Sequence, residues 1–90
     1  MSDVIKSLDL TDGRVVLFDG AADIYRAENL TCFERDGSLR WRAELPHHTG
    51  PDRFVDVVLS AGCIRASTWS GWAIWLDSVS GATIKSEFSK

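Results

Sequence analysis

The chain consists of short runs in which apolar and polar residues alternate. Alternation with a period of two places successive side chains on opposite faces of a β-strand. The clearest run, residues 38–45, is predicted to point Leu39, Trp41, Ala43 and Leu45 inward and Arg40, Arg42 and Glu44 towards water. Eight further runs of β type occupy residues 4–10, 14–18, 23–27, 30–35, 54–59, 63–69, 72–77 and 82–88.

Turn residues separate these runs. The pairs Asp12-Gly13, Asp19-Gly20 and Asp36-Gly37 are typical of hairpin turns, because both residue types tolerate a positive φ. Both prolines of the chain lie in residues 46–53, and proline cannot donate a hydrogen bond to a sheet. This segment therefore predicts a connection between two β units. Residues 21–29 leave an alternative open, because their composition also allows one or two helical turns.

One strand–turn–strand phrase occurs twice, as LTCFERDGSLRW in residues 30–41 and as AIWLDSVSGATI in residues 73–84. Each copy has an apolar strand, an acidic residue, a turn ending in glycine and a second strand. Overlaying the two halves gives two units of four strands, at about residues 11–45 and 54–89. The run 4–10 is left over, and its Ile5-Lys6-Ser7 repeats Ile84-Lys85-Ser86. We therefore predict one all-β domain over residues 1–90, made of two antiparallel four-stranded β-meanders and an extra N-terminal strand.

The repeated phrase resembles the blade repeat of quinoprotein-type β-propellers. Leu76-Asp77 and Ser80-Gly81 match the Leu-Asp and Thr-Gly positions of those blades, and Trp41 matches their common tryptophan. The resemblance covers nearly the whole chain after Asp12 and implies blade-like units, but no residue set matches a quinone site. A closed propeller needs about four to eight blades. Two units could stack as a small sandwich, or associate with further copies to close a ring.

Composition narrows the function classes. The 90 residues are 44% hydrophobic and 26% charged, which is ordinary for a globular chain. The formal net charge of −3 lacks the basic excess expected of a nucleic-acid binder. No apolar run approaches the roughly 20 residues that cross a bilayer, and the N-terminus has no apolar signal core. We expect a cytoplasmic protein with no membrane contact, in which Cys32 and Cys63 remain thiols.

Three tryptophans surround the Ser70-Gly71 turn and are the candidate binding residues: Trp69, Trp72 and Trp75. Large aromatic side chains dominate both cores and interfaces, so they predict core or oligomer packing, or a patch that binds a partner. Trp72 and Trp75 should point to opposite faces of their strand.

Catalytic motifs are absent from the sequence: it has no nucleophile elbow, glycine-rich phosphate loop, HExxH or CxxC. We expect no catalytic residue, metal or cofactor, and a non-enzymatic binding module that forms a homo-oligomer and can bind a protein partner. Two alternatives stay open. One is a small-molecule binder with an aromatic pocket near Trp69 and Trp72. The other is an enzyme whose site forms between subunits from His47 or His48 with Asp52.

Overall fold

The computed structural model describes residues 4–19, 26–45 and 52–88, whose regular structure is entirely β. Sheet 1 has the order β1-β2-β4-β5, and sheet 2 has the order β6-β7-β8-β9 with the short β3 added parallel to β6. The predicted all-β class with two antiparallel four-stranded sheets is confirmed. The strands are β1 (Val4–Leu10), β2 (Gly13–Phe18), β3 (Arg26–Ala27), β4 (Leu30–Glu34), β5 (Leu39–Arg42), β6 (Asp52–Ser60), β7 (Cys63–Thr68), β8 (Trp72–Leu76) and β9 (Thr83–Phe88).

The N-terminal strand is a member of sheet 1 rather than an extra strand. β1 pairs with β2 along its whole length and forms one edge of the sheet. The run 23–27, predicted as a strand of the first unit, has only Arg26–Ala27 among the described residues, and these pair with sheet 2. The match between Ile5-Lys6-Ser7 and Ile84-Lys85-Ser86 was misleading, because a short alternating triplet encodes faces of a strand and not its place in a sheet. Most of the segment with the helical alternative lies outside the described residues.

Two of the predicted glycine turns can be compared with the structure. Gly37 has a φ of 90°, so the Asp36-Gly37 turn is confirmed. Gly13 instead lies within β2, where a Cβ would collide with the carbonyl oxygen of Phe33 on the neighbouring strand. Glycine is needed there for close approach of the backbones. Gly20 lies outside the described residues.

The two sheets share the same internal register. Residues 4–18 correspond to residues 54–68, residues 30–34 to 73–77, and residues 39–42 to 83–86. The pair Val15 and Cys32, for example, corresponds to the pair Arg65 and Trp75. Irregularities in pairing also recur at corresponding places, between Val4/Lys6 and Phe54/Asp56 and between Cys32/Phe33 and Trp75/Leu76.

Corresponding residues nevertheless lie on opposite sides with respect to the core. Sheet 1 buries Val15, Leu17, Cys32 and Trp41, whose counterparts Arg65, Ser67, Trp75 and Lys85 form the outer face of sheet 2. Sheet 2 buries Val57, Ile64, Ala66, Ile74 and Leu76, whose counterparts Ser7, Arg14, Val16, Thr31 and Phe33 form the outer face of sheet 1. The sheets therefore pack head to tail over one core. A two-fold sandwich would bring equivalent faces together.

Trp41 and Asn29 join the two sheets. The Nε1–H of Trp41 donates to the carbonyl oxygen of Ser78 at 3.0 Å, and a Cβ at Gly81 would stand 2.6 Å from the indole ring. The buried Asn29 donates to the carbonyl oxygens of Phe18 at 2.6 Å and Phe54 at 2.9 Å, and accepts from the N–H of Phe54 at 2.9 Å. A buried amide with all these partners is well satisfied.

Trp41 should contribute far more to stability than Trp69, because it is 7% exposed whereas Trp69 is 54% exposed. We expect Trp41→Ala to lower the free energy of unfolding by about 3–5 kcal/mol and Trp69→Ala by less than about 1 kcal/mol. Trp41→Phe, which removes the N–H donor but keeps an aromatic ring, should cost about 1–2 kcal/mol. Urea unfolding followed by circular dichroism measures all three, and equal losses at Trp41 and Trp69 would contradict the assigned packing.

Candidate interaction surfaces

The three tryptophans predicted to bind occupy three different environments. Trp69 lies in the turn after β7, with the guanidinium carbon of Arg53 5.7 Å from its ring centroid. Trp72 begins β8, packs against the core and contacts Phe88 at a centroid distance of 5.3 Å. Trp75 lies on the outer face of sheet 2, so Trp72 and Trp75 have the opposite orientations that their spacing predicts. The structure does not bring the three rings together into one pocket.

Trp75 is the centre of a cationic and aromatic row across sheet 2. Arg65 on β7 and Lys85 on β9 are its cross-strand partners. The guanidinium carbon of Arg65 is 5.5 Å from the ring centroid, and Nζ of Lys85 is 4.9 Å from it. Cations at this distance attract the ring quadrupole, by about 0.5–1 kcal/mol each at exposed sites. The row places a large aromatic side chain between two cations, on a face that also carries Val58 and Ala73.

The outer face of sheet 1 carries a cleft that is lined by both apolar and charged side chains. A cavity of about 690 Å³ has Val16, Phe18 and Phe33 in its lining. Arg14 and Asp9, joined by a 3.1 Å ion pair, stand at this cavity as well. None of the described strands covers this face. Val16 and Thr31 in the middle of this face are buried, so its accessible aromatic side chains are those of the half-buried Phe18 and Phe33.

Arg40 is buried between the turns of the two sheets. Its side chain is 8% exposed, and its Nε and Nη2 groups donate to Glu34 at 2.9 and 2.6 Å. Nη2 also donates to the carbonyl oxygen of Asp12 at 2.8 Å, and Nη1 to that of Ser78 at 3.3 Å. The hydrogen bonds to Glu34 raise the pKa of Arg40 against the effect of burial. Arg40 therefore stays charged, and its hydrogen bonds hold the turns in place. It is not suited to transfer a proton.

Two predicted orientations on β5 are wrong for one reason. Arg40 was expected to face water and Leu39 to face inward, but Arg40 is buried and Leu39 is 56% exposed. The irregularity between β4 and β5 pairs Leu39 with Phe33, while Trp41 pairs with Cys32. Because the irregularity adds Arg40 as an extra residue, Leu39 and Trp41 lie on opposite faces. Simple alternation cannot reveal such a bulge.

Asp52, a residue of the inter-subunit enzyme hypothesis, holds a turn. Its buried carboxylate accepts from the backbone N–H of Ser70 at 3.1 Å and from the Ser70 hydroxyl at 2.7 Å. These bonds fix the segment that carries Trp69. His47 and His48 lie outside the described residues. Within residues 4–19, 26–45 and 52–88, no cluster of three or more His, Cys, Asp or Glu side chains could hold a metal ion.

The part of the chain that the structure describes contains no helix long and apolar enough to cross a bilayer.

Acid should destabilise the turn between β8 and β9, which contacts Trp41. Hydrogen bonds from the N–H groups of Ser80 and Val79 lower the pKa of Asp77 below its ordinary value of 3.8. Because the pKa of Asp77 is lower in the folded state, the ionised carboxylate stabilises the fold at pH values above 3.8. This stabilisation is lost as the pH falls through the folded-state pKa. We expect the free energy of unfolding to fall less between pH 6 and pH 3 in Asp77→Asn than in the wild type, measured by urea unfolding. Equal falls in both proteins would contradict this role.

Comparison with protein-family models gives a match over residues 1–88 to a family described as a domain of unknown function (DUF7957). No curated protein and no solved structure matches the chain.

Proposed function

The chain belongs to the DUF7957 family, and we propose that it is a non-enzymatic interaction module whose blade-like sheets associate through their outer faces. The head-to-tail packing of the sheets carries this proposal. It uses one face of each sheet within the chain and leaves the opposite face of each without a described strand upon it. Repeated β units that cannot bury both faces alone gain stability by stacking on neighbours.

The chemistry of the two outer faces supports association. Sheet 1 offers a cleft beside Phe33, and sheet 2 offers the Trp75 ring between two cations. Tryptophan and arginine are the side chains most enriched among residues that dominate binding energy. The resemblance to quinoprotein-type propeller blades supports the same interpretation, because two blades are fewer than a closed propeller requires.

A binding role, rather than catalysis, also fits the buried polar groups. Arg40 and Asp52 make hydrogen bonds that hold turns in place. We place the module in the cytoplasm, where the thiols of Cys32 and Cys63 would stay reduced. The proposal needs no nucleic acid, membrane or cofactor.

Self-association tests this function. Sedimentation velocity over micromolar to sub-millimolar concentrations should show a weight-average mass that rises above the 10.0 kDa of one chain, because mass action favours the assembly as concentration increases. A single species of one-chain mass at every concentration would contradict the proposal.

A further inference from the structure

We infer that copies of this chain bind head to tail, with the outer face of sheet 2 in one copy lying on the outer face of sheet 1 in the next. Trp75 of the first copy would then lie against the Phe33 cleft of the second. This inference rests on the proposed self-association and adds its direction and the residues that make it.

The contact inside the chain is the template. There, the face of sheet 1 that carries Val15, Cys32 and Trp41 packs on the face of sheet 2 that carries Ile64 and Leu76. The outer face of sheet 2 is the counterpart of the core face of sheet 1. The outer face of sheet 1 is the counterpart of the core face of sheet 2. The packing that joins sheet 1 to sheet 2 within a chain can therefore be repeated between sheet 2 of one copy and sheet 1 of the next. A contact between two different patches of this kind is heterologous, and it closes a ring or continues as a chain.

The two outer faces have different shapes: sheet 2 carries an aromatic ring and sheet 1 carries a cleft. The outer face of sheet 2 carries Trp75, held in position by Arg65 and Lys85 on either side. The outer face of sheet 1 carries the cavity of about 690 Å³ with Val16, Phe18 and Phe33 in its lining. Asp9, Arg14, Glu34 and Arg35 add charged groups to this lining. An aromatic anchor in a pocket with polar surroundings is a usual centre of a protein interface. A contact between two copies of the same face would instead bring together two Trp75 rows or two clefts, and neither pair joins an anchor to a pocket.

The counterpart of the Trp41 contact indicates the same direction. Lys85 corresponds to Trp41, which contacts the turn between β8 and β9 at Ser78 and Gly81. The counterpart of that turn is the one between β4 and β5, whose exposed end carries Asp36 and Gly37. The space that a Cβ would occupy at Gly37 is open, whereas at Gly81 it is filled by Trp41. Head-to-tail docking would bring Lys85, which forms a 3.0 Å ion pair with Glu87, to this open turn near Asp36.

Two single-face variants provide the test. Phe33→Glu damages the cleft and leaves the Trp75 face intact, whereas Trp75→Glu does the reverse. Each variant alone should sediment as a single chain at concentrations where the wild type associates. An equimolar mixture should form a one-to-one dimer of twice the 10.0 kDa chain mass and stop there, because only one compatible pair of faces remains.

Controls make every outcome decisive. Trp69→Glu changes an exposed tryptophan of the turn after β7 and should associate like the wild type. If circular dichroism shows that either glutamate variant is unfolded, the exposed pair Leu39→Glu and Lys85→Glu replaces it, since these side chains are more than half exposed.

The contrary results separate the two proposals. A wild type that associates while the mixture stays monomeric overturns the head-to-tail geometry alone. So does a variant that still self-associates, because its intact face then pairs with itself. A wild type that remains monomeric overturns both the geometry and the proposed function.

Discussion

The contact between Trp41 and the turn of sheet 2 determines which faces of the two sheets meet. The indole ring lies on Gly81 and donates to Ser78, and the neighbouring Arg40 donates to the same carbonyl oxygen. Two consecutive residues of one strand therefore hold one turn of the other sheet. Gly81 has a φ of 76° and no room for a Cβ, so both its backbone conformation and its contact require glycine.

The two copies of the repeat differ at this position. The counterpart of Trp41 is Lys85, a cation that a core would not accept unpaired. The outer face of sheet 2 therefore lacks the indole that holds the turn inside the chain and carries Trp75 as its large aromatic side chain. The outer face of sheet 1 carries the cleft beside Phe33. The account of function follows from this asymmetry.

Local features of the fold were predictable from the sequence, whereas long-range pairing was not. The hairpins of β4–β5 and β8–β9 follow from alternation and from glycine turns such as that of Gly37, which are properties of neighbouring residues. The membership of β1 in sheet 1 depends on its pairing with β2. The correspondence between the two sheets becomes visible only when the strand pairs of both are compared. Leu39 and Arg40 were misplaced because a bulge reverses the alternation without any sequence signature.

The candidate surfaces were predictable to a smaller extent. Trp75 was found from composition alone, and its separation from Trp72 followed from their spacing. The cleft beside Phe33 was missed, because it depends on the pairing of β2 with β4, which brings Phe33 beside Arg14. Asn29 carried no motif, since its role depends on Phe18 and Phe54, which lie in different sheets.

The most direct test of the head-to-tail packing is a nuclear Overhauser measurement on the Trp41 ring in dilute, isotope-labelled protein. The structure predicts cross-peaks from the indole protons to the Hα protons of Gly81, which the ring current should shift upfield. Same-face packing would instead put the face of sheet 1 that carries Trp41 on the face of sheet 2 that carries Trp75 and Lys85. Cross-peaks between the Trp41 and Trp75 rings within one chain, with none to Gly81, would contradict the account.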